Sequence, residues 1–179
     1  MDKNRTAAVV VTYNRLTLLN KCIEKLRGQT VPCDILVVDN ASTDGTTPWL
    51  REQEEAGLLR TRNTGGNLGG AGGFNKGMRW AVEDGYKYLW LMDDDCLPEQ
   101  DALEKLLEAD RVLDGNYGWL SSVALWTDGN VCSMNIQRKT PYQDIDGFAS
   151  PLTPCVMASF AWKKTLRRCS IFSITCLLR

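Results

Sequence analysis

Tyr88-Leu89-Trp90-Leu91-Met92-Asp93-Asp94-Asp95 carries five apolar residues without a break straight into three carboxylates. A segment that is apolar on successive residues suits a strand buried on both faces, as in a parallel sheet covered by helices. Adjacent acids belong where water or a cation reaches them. The Met92/Asp93 boundary therefore reads as the carboxyl end of a buried strand. The same grammar recurs upstream. Ala7-Ala8-Val9-Val10-Val11 stops at Thr12-Tyr13-Asn14, and Ile35-Leu36-Val37-Val38 stops at Asp39-Asn40.

Helical spacing fills the intervals. Leu16, Leu19, Ile23 and Leu26 recur on one face before Gly28, as in an amphipathic helix. Ser42-Thr43-Asp44-Gly45 offers turn and capping chemistry ahead of a helix expected over residues 47–56. A short strand at residues 58–62, a glycine-dense loop from Gly65 to Gly73 and a helix from about Phe74 to Glu83 complete the upstream half. Downstream, Pro98 suits the first turn of a helix whose Leu103, Leu106, Leu107 and Val112 form its apolar side, and residues 119–126 read as a further strand. This alternation predicts an α/β, doubly wound, mostly parallel sheet flanked by helices, with ligands beyond the carboxyl ends of its strands.

With 179 residues and 44% hydrophobic content, the chain has material for one domain. We expect that domain over residues 1–160, followed by an atypical basic tail over 161–179. A net charge of -1 gives no electrostatic reason to expect nucleic acid. The chain contains no histidine, which excludes His-based triads and His-rich zinc sites and leaves carboxylates, hydroxyls, thiols, amines or an oxygen-held metal. Seven cysteines without a Cys-x-x-Cys pair read as free thiols in a reducing cytoplasm. No apolar run approaches the roughly 20 residues of a membrane span, so a cytoplasmic protein is expected, with peripheral contact at the inner membrane face.

The three acids repel one another unless a cation lies among them. If the backbone stays extended, Asp93 and Asp95 point the same way and share one hard ion, with an oxygen-only ligand set favouring Mg2+ or Mn2+. A solvated acidic loop or a helix cap at Asp95 is the plainer alternative. The glycine run permits close backbone approach and opens a helix whose N-terminus favours phosphate, but it matches neither the dinucleotide nor the phosphate-loop pattern, since Met78 stands where the latter needs lysine. A flexible connector is the alternative there. Asp39 suits hydrogen bonding to a pyrimidine or ribose, or capping of the following helix. Trp90 and Trp119 read as core.

Taken together and in order, Val9-Val10-Val11-Thr12-Tyr13-Asn14-Arg15, Val37-Val38-Asp39-Asn40-Ala41-Ser42-Thr43-Asp44-Gly45-Thr46, Asn67-Leu68-Gly69-Gly70-Ala71-Gly72-Gly73-Phe74-Asn75 and Trp90-Leu91-Met92-Asp93-Asp94-Asp95 resemble the inverting glycosyltransferase family 2. That family has the GT-A (Rossmann-like) fold, and the likeness is to its galactofuranosyl- and rhamnosyltransferase-like branch, over roughly residues 7–125. The resemblance implies that Thr12 and Asn14 lie against the nucleotide, that Asp39 recognises its base, and that Asn67 and Gly69 shape the pocket wall. It implies that Asp94 approaches the ribose or sugar and that Asp93 and Asp95 hold the metal. The implied reaction moves a sugar from a UDP-sugar such as UDP-galactofuranose, or from dTDP-rhamnose, to a hydroxyl of a glycan or lipid-linked glycan, with inversion, in cell-wall or surface polysaccharide synthesis.

The likeness fades after Ser159-Phe160. No acid follows Asp146, and Asp144 and Asp146 do not form a recognisable base motif, so the catalytic base is unassigned. The expectation is a domain lacking part of the acceptor-side C-terminal region, one that binds donor and turns it over slowly or not at all. A nucleotidyltransferase and a non-catalytic nucleotide-binding module are the competing readings.

Overall fold

The computed structural model of the protein describes residues 5–114, 119–126, 128–132 and 176–178. Among these the elements run β1 (Thr6–Thr12), α1 (Leu16–Arg27), β2 (Asp34–Asp39), α2 (Thr46–Glu55), β3 (Arg60–Asn63), α3 (Gly69–Glu83), β4 (Tyr88–Asp93), α4 (Ala102–Leu113), β5 (Trp119–Ser121) and β6 (Cys176–Leu178). They form one sheet in the order β3-β2-β1-β4-β6-β5. The pairs β2-β3, β1-β2 and β1-β4 are parallel, while β6 runs antiparallel to both β4 and β5. The mostly parallel α/β sheet expected from the sequence is present.

The unbroken apolar strands are explained by what lies on each face. Along β1, Ala8 and Val10 pack with Leu19, Ile23 and Leu26 of α1, Leu50 of α2 and Leu103 and Leu106 of α4. Their neighbours Ala7, Val9 and Val11 point the other way, against Trp80 and Ala81 of α3. Every β1 residue is buried, because alternate side chains feed two different cores. Trp90 is fully buried, as core, whereas Trp119 is half-buried. Buried leucines such as Leu19, Leu50, Leu103 and Leu106 each contribute about 1.5 to 3 kcal/mol relative to exposure.

Three local expectations change. The glycine run is not loop throughout: α3 begins at Gly69 and carries it into the helix. Glycines disfavour helix by up to about 1 kcal/mol each, but a Cβ at Gly73 would come within 2.5 Å of Val11 Cγ1, and one at Gly77 within 2.5 Å of Val9 Cγ1. Close docking of α3 on β1 outweighs the propensity. Pro98 lies outside α4, which starts at Ala102. The intervening segment is tethered to Gln29, whose amide donates to the Glu99 carbonyl at 2.8 Å and whose Oε1 accepts from Leu103 N–H at 3.1 Å. The strand expected over residues 119–126 ends at Ser121, with a separate bridge between Leu125 and Val131.

Cys176–Leu178, within the stretch read as a basic tail, lie in the sheet between β4 and β5. Asp144, Asp146 and the Ser159-Phe160 boundary fall outside the described residues. Among the described residues no helix is long and apolar enough to cross a membrane.

Candidate functional site

Register decides where the acids meet. In the parallel pairing Thr12 faces Asp39 and Val11 faces Asp93, so three strands end at one level. The residue after each end is then set by its loop. Asn14 and Ala41 both adopt positive φ, 54° and 64°, turning the chain sharply out of β1 and β2.

These loops are tied to each other. Asn14 N–H donates to Ser42 Oγ at 2.9 Å, and Asn14 Oδ1 accepts from Thr43 N–H at 2.6 Å. Asp44 serves two helices, accepting from Leu16 N–H of α1 at 3.3 Å and from Thr46 N–H of α2 at 3.1 Å. Such side chains occupy N–H groups that helix starts leave unpaired. Asn67 Oδ1 accepts from Gly69 N–H at 2.8 Å, and the Gly69 carbonyl accepts from Asn40 Nδ2 at 3.1 Å. The other amide atom, Asn40 Oδ1, is buried with no hydrogen-bond partner.

Asp39 is only 1% exposed. Its Oδ1 accepts from Ser42 N–H at 2.9 Å, and its Oδ2 accepts from Thr47 Oγ1 and, at 2.9 Å, from Asn63 Nδ2. The carboxylate thus clamps the entry to α2 from the end of β2, the helix-capping alternative seen in the sequence.

The aspartate triplet is not an extended run. β4 stops at Asp93, and Asp94 and Asp95 form a turn. Asp94 is 3% exposed and accepts from Thr12 Oγ1 at 2.7 Å. Arg15 Nη1 lies 3.4 Å from Asp94 Oδ1 and 3.1 Å from Asp95 Oδ2. Sequence reading assigned Arg15 no role. The signal was available: three clustered carboxylates need a cation, and Arg15 is the basic residue in the motif leaving β1.

Desolvation is the main influence raising the Asp94 carboxyl above its usual range, opposed by the Thr12 hydrogen bond and Arg15 and reinforced by Asp95 and Asp93. Asp95 is also raised, by desolvation and then by Asp93, with Arg15 opposing. Beneath the turn, burial pushes the Cys22 and Cys96 thiols up. Burial also pushes Cys33, at the foot of β2, up to about 12. Cys22, Cys33, Cys96 and Cys132 form no disulfide.

No group of three or more His, Cys, Asp or Glu side chains forms a metal site among the described residues. The turn nonetheless fits a divalent cation that completes its shell elsewhere, because Asp95 Oδ1 is buried without a hydrogen-bond partner. Mg2+ and Mn2+ take oxygen ligands and share them readily with a substrate diphosphate.

The profile of "Glycosyl transferase family 2" matches residues 7–117, spanning β1 through α4. The chain belongs to that family. It is 38% identical over 113 residues to an undecaprenyl-phosphate mannosyltransferase of Micrococcus luteus, covering 62% of this chain and 46% of the relative. It is 43% identical over 91 residues to galactofuranosyltransferase GlfT1 of Mycobacterium tuberculosis, covering 49% of this chain and 29% of the relative. The chain thus spans less than half the length of these relatives. Among solved structures, the mannosyltransferase PcManGT of Pyrobaculum calidifontis, in complex with GDP-Man and Mn2+, superposes with a TM-score of 0.58 at 28% identity, over 67% of this chain and 35% of that one. TarS of S. aureus in complex with UDP gives 0.54 at 20% identity over 69% of this chain and 36% of that one, a likeness of fold. The GT-A architecture expected from the motifs is confirmed.

Proposed function

We propose that this chain forms the donor-binding half of a glycosyltransferase that takes a nucleoside-diphosphate sugar with a divalent cation. The observation that carries the reading is the convergence of Thr12, Asp39, Asp94 and Asp95 at adjoining ends of three parallel strands in a family 2 chain. Asp93 and Asp95 are the cation's protein ligands in this reading. The cation, when bound, neutralises charge on the departing diphosphate.

Asp39 reads a uracil or thymine base. Its carboxylate is filled by Ser42, Thr47 and Asn63, so a base imide replaces one donor. Asn63 is exposed and can be rehydrated, which makes it the one to yield. Thr12 holds Asp94 in place against the sugar side, while Asn14, Asn67 and Gly69 shape the rim. UDP-galactofuranose and other UDP-sugars are the leading donors, followed by dTDP-rhamnose.

The reaction is one inverting displacement. An acceptor hydroxyl oxygen forms the bond to the anomeric carbon as the bond to the diphosphate breaks. That electron pair leaves with the nucleoside diphosphate, and the hydroxyl proton passes to a base. A positioned base contributes about 100- to 10,000-fold, and Asp144 and Asp146 are the acids to test for it.

Calorimetry with UDP, dTDP, GDP and ADP, each with Mn2+ and with excess chelator, tests donor binding. Metal-dependent preference for UDP or dTDP is expected; indifference to both base and metal sinks the proposal. Multiple-turnover transfer from the donor panel to a mixed glycan pool, read by mass spectrometry, tests turnover. Product that disappears in Asp144→Asn or Asp146→Asn places the base. Release of pyrophosphate from a nucleoside triphosphate would instead favour a nucleotidyltransferase.

A further inference from the structure

Arg15 is anchored by its backbone and loose at its tip. It precedes α1, and its carbonyl accepts from Leu18 N–H and Leu19 N–H at 3.0 Å each. The preceding residue, Asn14, is stitched to Ser42 and Thr43, which ties down the backbone leading into Arg15. The side chain is 52% exposed and reaches back to the aspartate turn through one nitrogen shared between Asp94 and Asp95. A planar guanidinium normally grips a carboxylate through two parallel hydrogen bonds. Here a single Nη1 is divided between two acids, and the longer contact is 3.4 Å. This supplies charge where charge is needed while making few bonds that must be broken.

The second observation is the oxygen left over. Asp95 directs Oδ2 to Arg15 but leaves Oδ1 buried without a hydrogen-bond partner. Arginine therefore compensates the acids' charge without satisfying their coordination chemistry. We propose that Arg15 is a resident counter-ion that holds the cation's place before donor arrives and competes with free metal, so that the metal enters together with the nucleoside diphosphate rather than ahead of it. The inference rests on the reading of Asp93 and Asp95 as metal ligands.

The competition has a direct sign. Removing the Arg15 charge takes away the ion pairs of Asp94 and Asp95 and strengthens the turn's hold on free Mn2+, whereas removing a metal ligand weakens it. Arg15 is a positioning residue in this sense, since it governs when the cation binds. Binding order follows: in the wild type the diphosphate brings oxygens that complete the metal shell and displace the guanidinium, so Mn2+ affinity depends strongly on nucleotide.

Mn2+ titrations followed by electron paramagnetic resonance, with and without UDP, on wild type, Arg15→Gln and Arg15→Ala test the idea. Wild type is expected to bind Mn2+ alone at least tenfold more weakly than with UDP. Both variants are expected to bind Mn2+ alone at least tenfold more tightly than wild type, narrowing the gap made by UDP. Millimolar guanidinium chloride should restore weak Mn2+ binding to Arg15→Ala, which a merely structural defect would not show. Thermal melts check folding, and because α1 is started by the Arg15 carbonyl, both variants should melt close to wild type. If a variant proves unstable, the wild-type gap between Mn2+ alone and Mn2+ with UDP still decides: equal affinity overturns the proposal. Equal Mn2+ affinity in folded wild type and variants overturns the Arg15 role even where UDP binding remains metal-dependent. UDP binding that ignores chelator in wild type overturns the metal reading itself, and the Arg15 role with it.

Discussion

Asp39→Ala tests the most heavily bonded side chain at the strand ends. The substitution removes an acceptor used by Ser42 N–H, Thr47 Oγ1 and Asn63 Nδ2, at a position only 1% exposed. Hydrogen bonds to a charged acceptor are worth about 1.5 to 3 kcal/mol each when buried. Asn63 is exposed and Ser42 and Thr47 are half-buried, so water partly replaces the lost acceptor and each bond falls below that range, to about 1 kcal/mol. The total is about 3 kcal/mol, equivalent to a fall in melting temperature of roughly 10 °C for a domain of this size. Differential scanning fluorimetry measures it. Titration of UDP and ADP on the folded variant should show weaker binding and a lost preference for the pyrimidine, because the base imide has no acceptor. Thr47→Val separates the roles: it removes one donor, costs about 1 kcal/mol and leaves pyrimidine preference intact. An Asp39→Ala protein that melts with wild type refutes the clamp. One that melts early yet keeps full pyrimidine preference refutes base reading and leaves Asp39 a helix-entry residue.

Asp95→Asn should reduce metal-dependent UDP binding at least tenfold while leaving the fold intact, since its side chain is partly exposed at the turn; unchanged affinity by calorimetry would remove Asp95 from the metal site. Gly77→Ala should lower stability by up to about 2 kcal/mol, the overpacking cost against Val9 and Val38 less the gain in helix propensity. Val9→Ala in the Gly77→Ala background should recover part of that loss, and strictly additive denaturant midpoints would show that α3 does not ride so closely on β1. For Asp44, burial pushes the carboxyl up, but hydrogen bonds from Thr46 Oγ1, Leu16 N–H and Thr46 N–H outweigh it and hold the group below the usual range. The unfolded chain therefore takes up this proton first on acidification. The contribution of Asp44 is present above about pH 4 and lost as pH falls through its lower folded value. Urea midpoints of wild type and Asp44→Asn should differ at pH 7, and the difference should shrink as pH falls below about 4; a gap that widens on acidification contradicts the sign.

What the sequence disclosed follows from how local each cause is. Continuous runs such as Ala7–Val11 and Ile35–Val38 announce burial on both faces by themselves, and the polar residues that end them mark the carboxyl edge of the sheet. Thr12, Asp39 and Asp94 were therefore legible as a group before any distance was known. The helical start at Gly69 was not, because the close contacts that seat α3 on the sheet, Gly73 against Val11 and Gly77 against Val9, join residues some sixty or more positions apart. Pro98 misled for the same kind of reason: Gln29, 70 positions before Glu99 in the chain, sets that segment. Arg15 was passed over because its partners Asp94 and Asp95 are 79 and 80 positions away: its charge and its place after β1 were in the sequence, but spacing along the chain does not say which acids it meets.

The bonds between the β1-α1 and β2-α2 loops have a consequence for protein engineering. Asn14 is held by Ser42 and Thr43, Leu16 by Asp44, and the Asn40 amide by Gly69. The rim is in effect one woven collar rather than a set of exchangeable pieces. A chimera whose second crossover carries different side chains at 42–44 would orphan Asn14 and the start of α1, even though neither was touched. Successful grafts should carry Tyr13–Leu16 together with Asn40–Thr47 as a single cassette, and laboratory selections for altered donor choice should return paired changes across those two segments more often than single ones.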